Sequence, residues 1–147
     1  MDEGRVEGIF IGPKYELPGS VERVRAVAGR GLEGNRYFFD NAPPGRALTL
    51  IAAEALEAYE AENGRELTAA ESRRNVLTRG IDLNALVGKR FRVGEVECLG
   101  VELCEPCTSL EALTHPGVVK GMVHRAGLNA DVLNDGMIAV GDPVVAE

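Results

Sequence analysis

The stretch KRFRVGEVECLGVELCEP, which covers residues 89–106, constrains the fold more than any other part of the chain. Its apolar residues recur on both sides of Gly94 with the spacing of half-buried strands, and glycine at that point is typical of a turn. These apolar positions are Phe91, Val93, Val96, Cys98, Leu99, Val101 and Leu103. The pattern therefore predicts a β-hairpin.

Short apolar segments with glycine-rich turns recur at both ends of the chain. Residues 4–12 predict a first strand, and the C-terminal MIAVGDPVVAE predicts a strand, a turn and a strand. In VERVRAVAG, which begins at Val21, the valines favour a second strand, although their spacing of three also fits a short helix. Strands and helices do not alternate regularly, which argues against a doubly wound parallel sheet. We expect a mainly β fold, a closed or nearly closed β-barrel with a few peripheral α-helices.

Two segments carry helix signals. Residues 47–64 begin as a short strand and continue as the clearest helix of the chain, with Asn63-Gly64 as its stop. Its predicted apolar stripe consists of Leu48, Ile51, Ala55, Leu56 and Tyr59. In the next segment, Thr68 is followed three residues later by Glu71, which matches a capping box and predicts a short helix that ends near Gly80.

Composition limits the classes of function. The 147 residues fit one domain over residues 1–147, whose core needs neither metal nor disulfide. Sixteen Lys and Arg against 23 Asp and Glu give a net charge of −7, which argues against a nucleic-acid partner. The first residues are acidic where a secretory signal is basic, and no apolar window is long enough to span a membrane. We expect a cytoplasmic protein with free thiols and no membrane partner.

The segment CEPCTSL, residues 104–110, brings together two of the three cysteines. Cys107 is followed by Thr108 and Ser109, either of which can cap a helical turn, and Glu111 is placed as the capping-box partner of Thr108. A thiol at the start of a helix has a lowered pKa and favours the thiolate. Cys104 ends an apolar strand, so we expect it to be more buried than Cys107.

The cysteine spacing alone leaves four interpretations open: half of a zinc site, a dithiol redox couple, a ligand for another metal or sulfur species, or two inert residues. Cys98, His115 and His124 are the residues that would complete a zinc site, but their spacings fit no common zinc motif. The βαβ setting of a dithiol couple is also missing. Cys98 lies inside a strand pattern and is most simply a core residue.

Arginines provide the second set of candidate residues. Arg73, Arg74 and Asn75 fall in the short predicted helix, and Arg30 and Arg36 fall in the irregular glycine-rich residues 29–46. A loop of that length is usually functional or mobile. Guanidinium groups bind phosphate through paired hydrogen bonds, so these arginines are candidates for an anion site.

Ion pairing is the alternative explanation for two of these arginines, because Glu71 and Asp82 are near enough in sequence to neutralise Arg73 and Arg74. His115 precedes Pro-Gly and is expected to be an exposed loop residue. His124, with Arg125 beside it, is expected to face a cleft.

Four motifs follow one another along the chain: GRGLEGNR, a block that begins with ESRRN, CEPC, and a block that begins with HRAGL. Together they resemble the motifs of MOSC domains, the family named for the C-terminal domain of molybdenum cofactor sulfurases. GRGLEGNR, residues 29–36, resembles the early glycine loop of the family. ESRRNVLTRGIDLNALVGKRFRVGEVEC, residues 71–98, resembles its central block. CEPC resembles the thiol segment, and HRAGLNADVLNDGMIAVGD, residues 124–142, resembles the closing block.

This resemblance implies a barrel of the MOSC or pyruvate-kinase-barrel type and binding of a molybdenum cofactor of the molybdopterin type. Pyridoxal phosphate is a further ligand associated with such proteins. The second cysteine of the thiol segment, Cys107 here, corresponds to the molybdenum ligand of cofactor-carrying relatives. The implied cofactor-binding residues are Arg73, Arg74, Asn75, Thr78, Arg36, His124 and Arg125.

The implied activity is reduction of small N-hydroxylated compounds, which requires a separate electron-donor protein because no flavin, haem or iron–sulfur motif is present. Two alternatives remain. Cys107 would carry a persulfide received from a cysteine desulfurase, for metal–sulfur centre assembly, or the chain would be a non-catalytic binding domain with an inert CxxC.

Overall fold

The computed structural model describes residues 3–14, 16–38 and 40–147, with only the backbone at position 109, and these residues contain eleven strands. Buried and more exposed residues alternate in several of them, such as β3 and β9. The strands are β1 Glu3–Ile11, β2 Gly19–Ser20, β3 Arg23–Val27, β4 Gly31–Leu32, β5 Leu48–Ala52, β6 Val76–Arg79, β7 Arg90–Val93, β8 Val96–Leu103, β9 Leu128–Val132, β10 Gly136–Ala139 and β11 Pro143–Ala146. The helices are α1 Ala53–Asn63, α2 Ala69–Ser72, α3 Thr108–Leu113 and α4 Val118–Met122, with a 3₁₀ turn at Leu83–Leu86.

Seven strands close into a barrel. Their order is β11-β7-β8-β9-β5-β6-β1, and β1 pairs with β11 to complete the ring. Neighbouring strands are antiparallel except β5 and β6, which run parallel. The short β2 extends the ring beside the end of β1, and β10, β3 and β4 form a separate small sheet. The predicted β-barrel with peripheral helices is therefore confirmed, as is the hairpin of β7 and β8.

Two apolar clusters stabilise this arrangement. The barrel interior holds the inward side chains of the strands, with Phe91 and Leu50 among the largest, and the small sheet contributes Ile138 to the same cluster. On the outer side of β5, Ile51 packs with Tyr59 and other side chains beneath the helices. The helices therefore cover one outer side of the barrel.

Two expectations about the first helices need correction. Leu48 and Ile51 do not lie on the stripe of α1, because α1 begins only at Ala53 and both residues belong to β5. The capping box of Thr68 and Glu71 is present, but its helix ends at Ser72 and not near Gly80.

The cause of the early end is Arg73, which adopts a left-handed backbone with φ of 62°. The chain then continues as β6, which gains backbone partners from β5 on one side and β1 on the other. Tertiary pairing therefore decides the conformation of a segment too short to indicate it locally.

Candidate functional site

A cavity of about 200 Å³ lies where β5 and β6 begin. Four arginines from two distant segments line it, Arg36 and Arg46 from the glycine-rich loop and Arg73 and Arg74 from the chain after α2, together with Cys104. We call this space the arginine cavity. The glycine-rich loop, residues 29–46, supplies two of the four guanidinium groups, and a functional role of this loop stays a prediction.

Hydrogen bonds and aromatic contacts fix the arginines of the loop. Arg36 donates from Nη2 to the carbonyl oxygen of Arg73 at 3.1 Å. Its guanidinium carbon lies 4.8 Å from the centre of the Tyr37 ring, and that of Arg46 lies 5.6 Å from the same centre. Both distances fall in the range of cation–π attraction, so the Tyr37 ring helps to keep two cations close together.

The arginine cavity has four arginines and one carboxylate, that of Glu102, in its described wall, although the chain as a whole carries a net charge of −7. In the described part of the chain, no ion pair connects Arg36, Arg46, Arg73 or Arg74 to a carboxylate. Burial lowers the pKa of Arg73, and the neighbouring charge of Arg36 lowers it further. The folded protein therefore holds like charges together, which an anion would relieve.

The alternative in which Arg73 and Arg74 are neutralised by local carboxylates is wrong. Glu71 accepts the backbone N–H of Thr68 through its side chain, and Asp82 accepts that of Asn84. Both carboxylates cap short helices, and neither is paired with an arginine.

Arg73 and Arg74 differ in the number of hydrogen bonds that their guanidinium groups donate within the protein. All three nitrogens of Arg74 donate to backbone carbonyl oxygens, namely those of Ala126 at 2.8 Å, Ser72 at 3.1 Å, and Cys104 at 3.2 Å and Glu105 at 3.5 Å. Arg73 has one such bond, from Nη2 to Lys14 at 2.9 Å. Arg74 therefore ties segments together, whereas Arg73 keeps N–H groups available for a ligand.

The three thiols have different environments. Cys98 is fully buried in the barrel, and burial raises its pKa to about 12, as expected for a core residue. Cys104 is partly buried beside the arginine cavity, and burial raises the pKa of its thiol. The positive charge of Arg74 lowers this pKa, and a negative charge at Cys107 raises it. Cys107 itself is exposed. Of the three cysteines, all of which lie in the described residues, Cys107 is the most exposed to solvent.

The start of α3 differs from the sequence prediction in one respect. The residue that caps this helix is Cys107 itself, and its side chain makes no capping hydrogen bond. Glu111 does not complete a capping box with Thr108, because its carboxylate accepts the backbone N–H groups of Gly117 and Val119 at the start of α4. Glu111 therefore joins α3 to α4.

A carboxylate–histidine contact lies beside the thiol segment. The side chain of Glu105 accepts two hydrogen bonds from His124, one from the backbone N–H at 2.7 Å and one from ring Nδ1 at 2.6 Å. An ionised carboxylate only accepts, so Nδ1 carries the hydrogen. These bonds lower the pKa of Glu105. The His124 ring is largely exposed. The sequence predicted that His124 faces a cleft, and in the structure it lies beside the CEPC segment.

Three other predicted site residues lie in structural contacts. Asn75 is buried and bridges strands, because its Oδ1 accepts from the backbone and hydroxyl of Thr49 and its Nδ2 donates to Phe10. Thr78 is buried and donates to the carbonyl oxygen of Ile51. Arg125 pairs with Glu62 at 2.6 Å. None of the three lines the arginine cavity, and ligand binding by them stays a prediction.

The prediction of an exposed His115 is wrong. Its side chain is buried, and Nε2 lies 2.7 Å from the hydroxyl oxygen of Tyr59. Tyr59 belongs to the apolar cluster beneath α1, α3 and α4, and its contact keeps His115 buried although a Pro-Gly turn follows.

Sequence reasoning missed two contributors to the cavity, Arg46 and Tyr37. Their signal was their position in the long glycine-rich loop. A larger cavity of about 440 Å³ lies elsewhere, and Arg125 is the one predicted site residue along its described walls. Within the described residues no group of three or more His, Cys, Asp or Glu is placed to hold a metal, and no helix there is long and apolar enough to cross a membrane.

The fold and the cavity define a closed β-barrel protein with a cationic cavity beside a free-thiol segment. A family model for the MOSC domain matches residues 36–145, which is most of the chain. The chain belongs to the MOSC domain family, as the resemblance of its motifs predicted. No curated protein sequence gives a significant match.

Solved structures show the same fold. The YuaD protein from Bacillus subtilis superposes with a TM-score of 0.82 at 17% identity, over 97% of this chain and 94% of that one. YiiM from Geobacillus stearothermophilus gives 0.78 at 20% identity, over 98% and 75%. YiiM from Escherichia coli gives 0.71 at 20% identity, over 97% and 69%. At these identities the likeness concerns the fold alone.

Proposed function

We propose that the chain binds a molybdenum cofactor of the molybdopterin type, with its anionic group in the arginine cavity and with Cys107 as the thiolate ligand of molybdenum. One observation carries the proposal: four guanidinium groups without a carboxylate partner among the described residues lie beside the CEPC segment. The membership of the chain in the MOSC domain family supports the same ligand.

The donor groups fit this cofactor. Soft thiolate sulfur suits molybdenum, and guanidinium groups suit phosphate because they donate paired, charge-assisted hydrogen bonds. Of the three thiols, Cys98 and Cys104 have pKa values raised by burial, which disfavours the thiolate that a metal requires. Cys107 is exposed and therefore accessible to a ligand.

The arginines of the cavity would have two different roles. Arg36, Arg46 and Arg73 would bind the anion with their available N–H groups, and Arg74 would hold the carbonyl groups of the thiol segment. Bound cofactor would supply two-electron redox chemistry at a site next to Cys107. We propose reduction of small N-hydroxylated compounds as the activity, with electrons from a separate donor protein.

Molybdenum content tests this proposal. The wild-type protein, purified from a host that makes the cofactor, is compared with the double variant Arg36→Gln/Arg73→Gln and with the control Arg23→Gln, which changes one exposed arginine of β3. We expect about one molybdenum per chain in the wild type and the control, and loss of most of it in the double variant. Equal molybdenum in all three proteins would overturn the role of the arginine cavity.

Sulfur carriage is the second candidate, and the exposure of Cys107 favours it because a carrier thiol must reach its partner. The Cys107 thiolate would accept the terminal sulfur of a persulfide on a cysteine desulfurase, and the donor cysteine would leave as a thiolate. Wild-type protein without molybdenum but with a sulfane-sulfur adduct on Cys107 in its mass spectrum would favour this function. Absence of both signals would leave a non-catalytic binding domain, and tightly bound zinc would exclude all three proposals.

A further inference from the structure

The backbone between the two cysteines of CEPC is held from two sides. Arg74 donates from Nη2 to the carbonyl oxygens of Cys104 and Glu105 at 3.2 and 3.5 Å. The Glu105 side chain is held by His124, which supplies a donor to each of its two oxygens at 2.7 and 2.6 Å. Pro106 has no N–H group and adds no bond of its own. These contacts, together with the hydrogen bond from the N–H of Cys104 to the carbonyl oxygen of Gly127 at 2.8 Å, fix the path of the chain to Cys107.

The backbone of His124 is unusual. Its φ of 62° lies in the left-handed region, which residues with a side chain rarely adopt. Asn84 fixes it by donating from Nδ2 to the carbonyl oxygen of His124 at 2.7 Å, and two residues later Arg74 binds the carbonyl oxygen of Ala126. Backbone strain of this kind persists only where surrounding contacts maintain it, and it is frequent at functional sites. Here both donors of one residue reach the same carboxylate.

We propose that His124 is a positioning residue, which acts through Glu105 to fix the thiol segment beside the arginine cavity before a ligand binds. His124 does not itself contact the ligand in this role. The effect of this positioning on ligand binding rests on the proposed function. A segment that is fixed in advance lowers the entropy cost of binding a ligand at Cys107. Supporting residues of metal ligands typically alter metal affinity in this way.

Three substitutions separate positioning from general stability. His124→Gly keeps the backbone N–H and suits the left-handed conformation, but it removes the ring contact with Glu105. Glu105→Ala removes both contacts. Glu105→Gln restores them, since its oxygen accepts the backbone N–H and its amide donates to the other tautomer of the ring. Glu97→Ala is the matched control, because it breaks an exposed pair with Arg90 on β7 and β8.

The first measurement is the ¹⁵N order parameter of the Glu105 and Cys107 amides. We expect values of about 0.85 in the wild type, Glu105→Gln and Glu97→Ala, and below about 0.6 in His124→Gly and Glu105→Ala. The melting temperature of His124→Gly should not fall. Unchanged order parameters in His124→Gly and Glu105→Ala would overturn the proposal, as would a fall in melting temperature with no change in them.

The second measurement is the rate at which loaded protein loses molybdenum on dialysis. We expect this rate to rise by about 10- to 100-fold in His124→Gly and Glu105→Ala, with recovery in Glu105→Gln. A mobile segment together with an unchanged rate would refute the positioning role while leaving cofactor binding intact. Wild-type protein without molybdenum would instead refute the proposed function, and the order parameters would still decide whether His124 fixes the segment.

Discussion

Substitution of Arg73 by Gln should weaken anion binding without weakening the fold. In the described residues Arg73 makes a single side-chain hydrogen bond, from Nη2 to Lys14, so its other N–H groups are available to a ligand. Burial lowers the pKa of Arg73, and the neighbouring positive charge of Arg36 lowers it further. A neutral side chain therefore removes both an attraction for the ligand and a repulsion within the protein.

The magnitude follows from the hydrogen bonds that Arg73 has to offer. A hydrogen bond to a charged group contributes about 1.5–3 kcal/mol, so the loss of one should weaken binding by roughly 10- to 150-fold. The free energy of unfolding should fall by less than about 1 kcal/mol, because the loss of the hydrogen bond to Lys14 is offset by removal of the repulsion between Arg73 and Arg36.

Calorimetric titration with pyrophosphate at low ionic strength measures the affinity, and urea unfolding measures the stability. The control Arg23→Gln carries the same change of charge at an exposed position and should bind pyrophosphate within about twofold of the wild type, since screening limits the effect of distant surface charges. Wild-type affinity in Arg73→Gln, or a loss of more than about 1 kcal/mol of stability by this variant, would refute the account of the cavity.

Three further predictions concern the fold. Burial raises the pKa of the Cys98 thiol to about 12, so the contribution of the neutral thiol to the free energy of unfolding is complete below pH 9 and is lost as the pH rises toward 12. In urea unfolding, the free energy of unfolding of the wild type should fall by about 2 kcal/mol more than that of Cys98→Ala between pH 8.5 and 10.5. Parallel pH curves for the two proteins would contradict this. Tyr59→Phe leaves Nε2 of buried His115 without its partner and should cost about 1–3 kcal/mol in the same assay, whereas a change below about 0.5 kcal/mol would show that the contact is unimportant. A side chain at Gly127 would overlap a backbone carbonyl oxygen, whereas a side chain at Gly64 would meet open space. Thermal unfolding should therefore give a much lower melting temperature for Gly127→Ala than for Gly64→Ala, and equal melting temperatures would contradict the packing.

Local patterns predicted the elements whose causes are local. The hairpin of β7 and β8 follows from alternation around Gly94, and the start of α2 follows from the reciprocal bonds of Thr68 and Glu71. The end of α1 follows from Gly64, whose left-handed backbone donates to Glu60. Each of these depends on residues within a few positions of one another, so the sequence was sufficient.

Long-range pairing explains what local patterns missed. Strand β6 has four residues, and its conformation depends on hydrogen bonding to β1 and β5, which are distant in the chain. The burial of His115 depends on Tyr59, which is 56 positions away. No nearby residue signals either contact.

The candidate site shows the same division. The resemblance to MOSC domains indicated Arg36, Arg73 and Arg74, and the structure brings these three into one cavity. Arg46 lies outside the motifs that carried the resemblance, and only folding of the glycine-rich loop brings it to the same place. The different burial of Cys104 and Cys107 was predicted from the sequence, because Cys104 ends an apolar strand pattern, and the structure confirms it: Cys104 is partly buried and Cys107 is exposed.

Molybdenum content of the two serine variants of the CEPC segment tests the central claim most directly. In protein from a host that makes the cofactor, Cys107→Ser should contain almost no molybdenum, and Cys104→Ser, which changes a thiol whose pKa is raised by burial, should retain most of the wild-type amount. Retention of molybdenum in Cys107→Ser together with its loss in Cys104→Ser would contradict the assignment of Cys107 as the ligand.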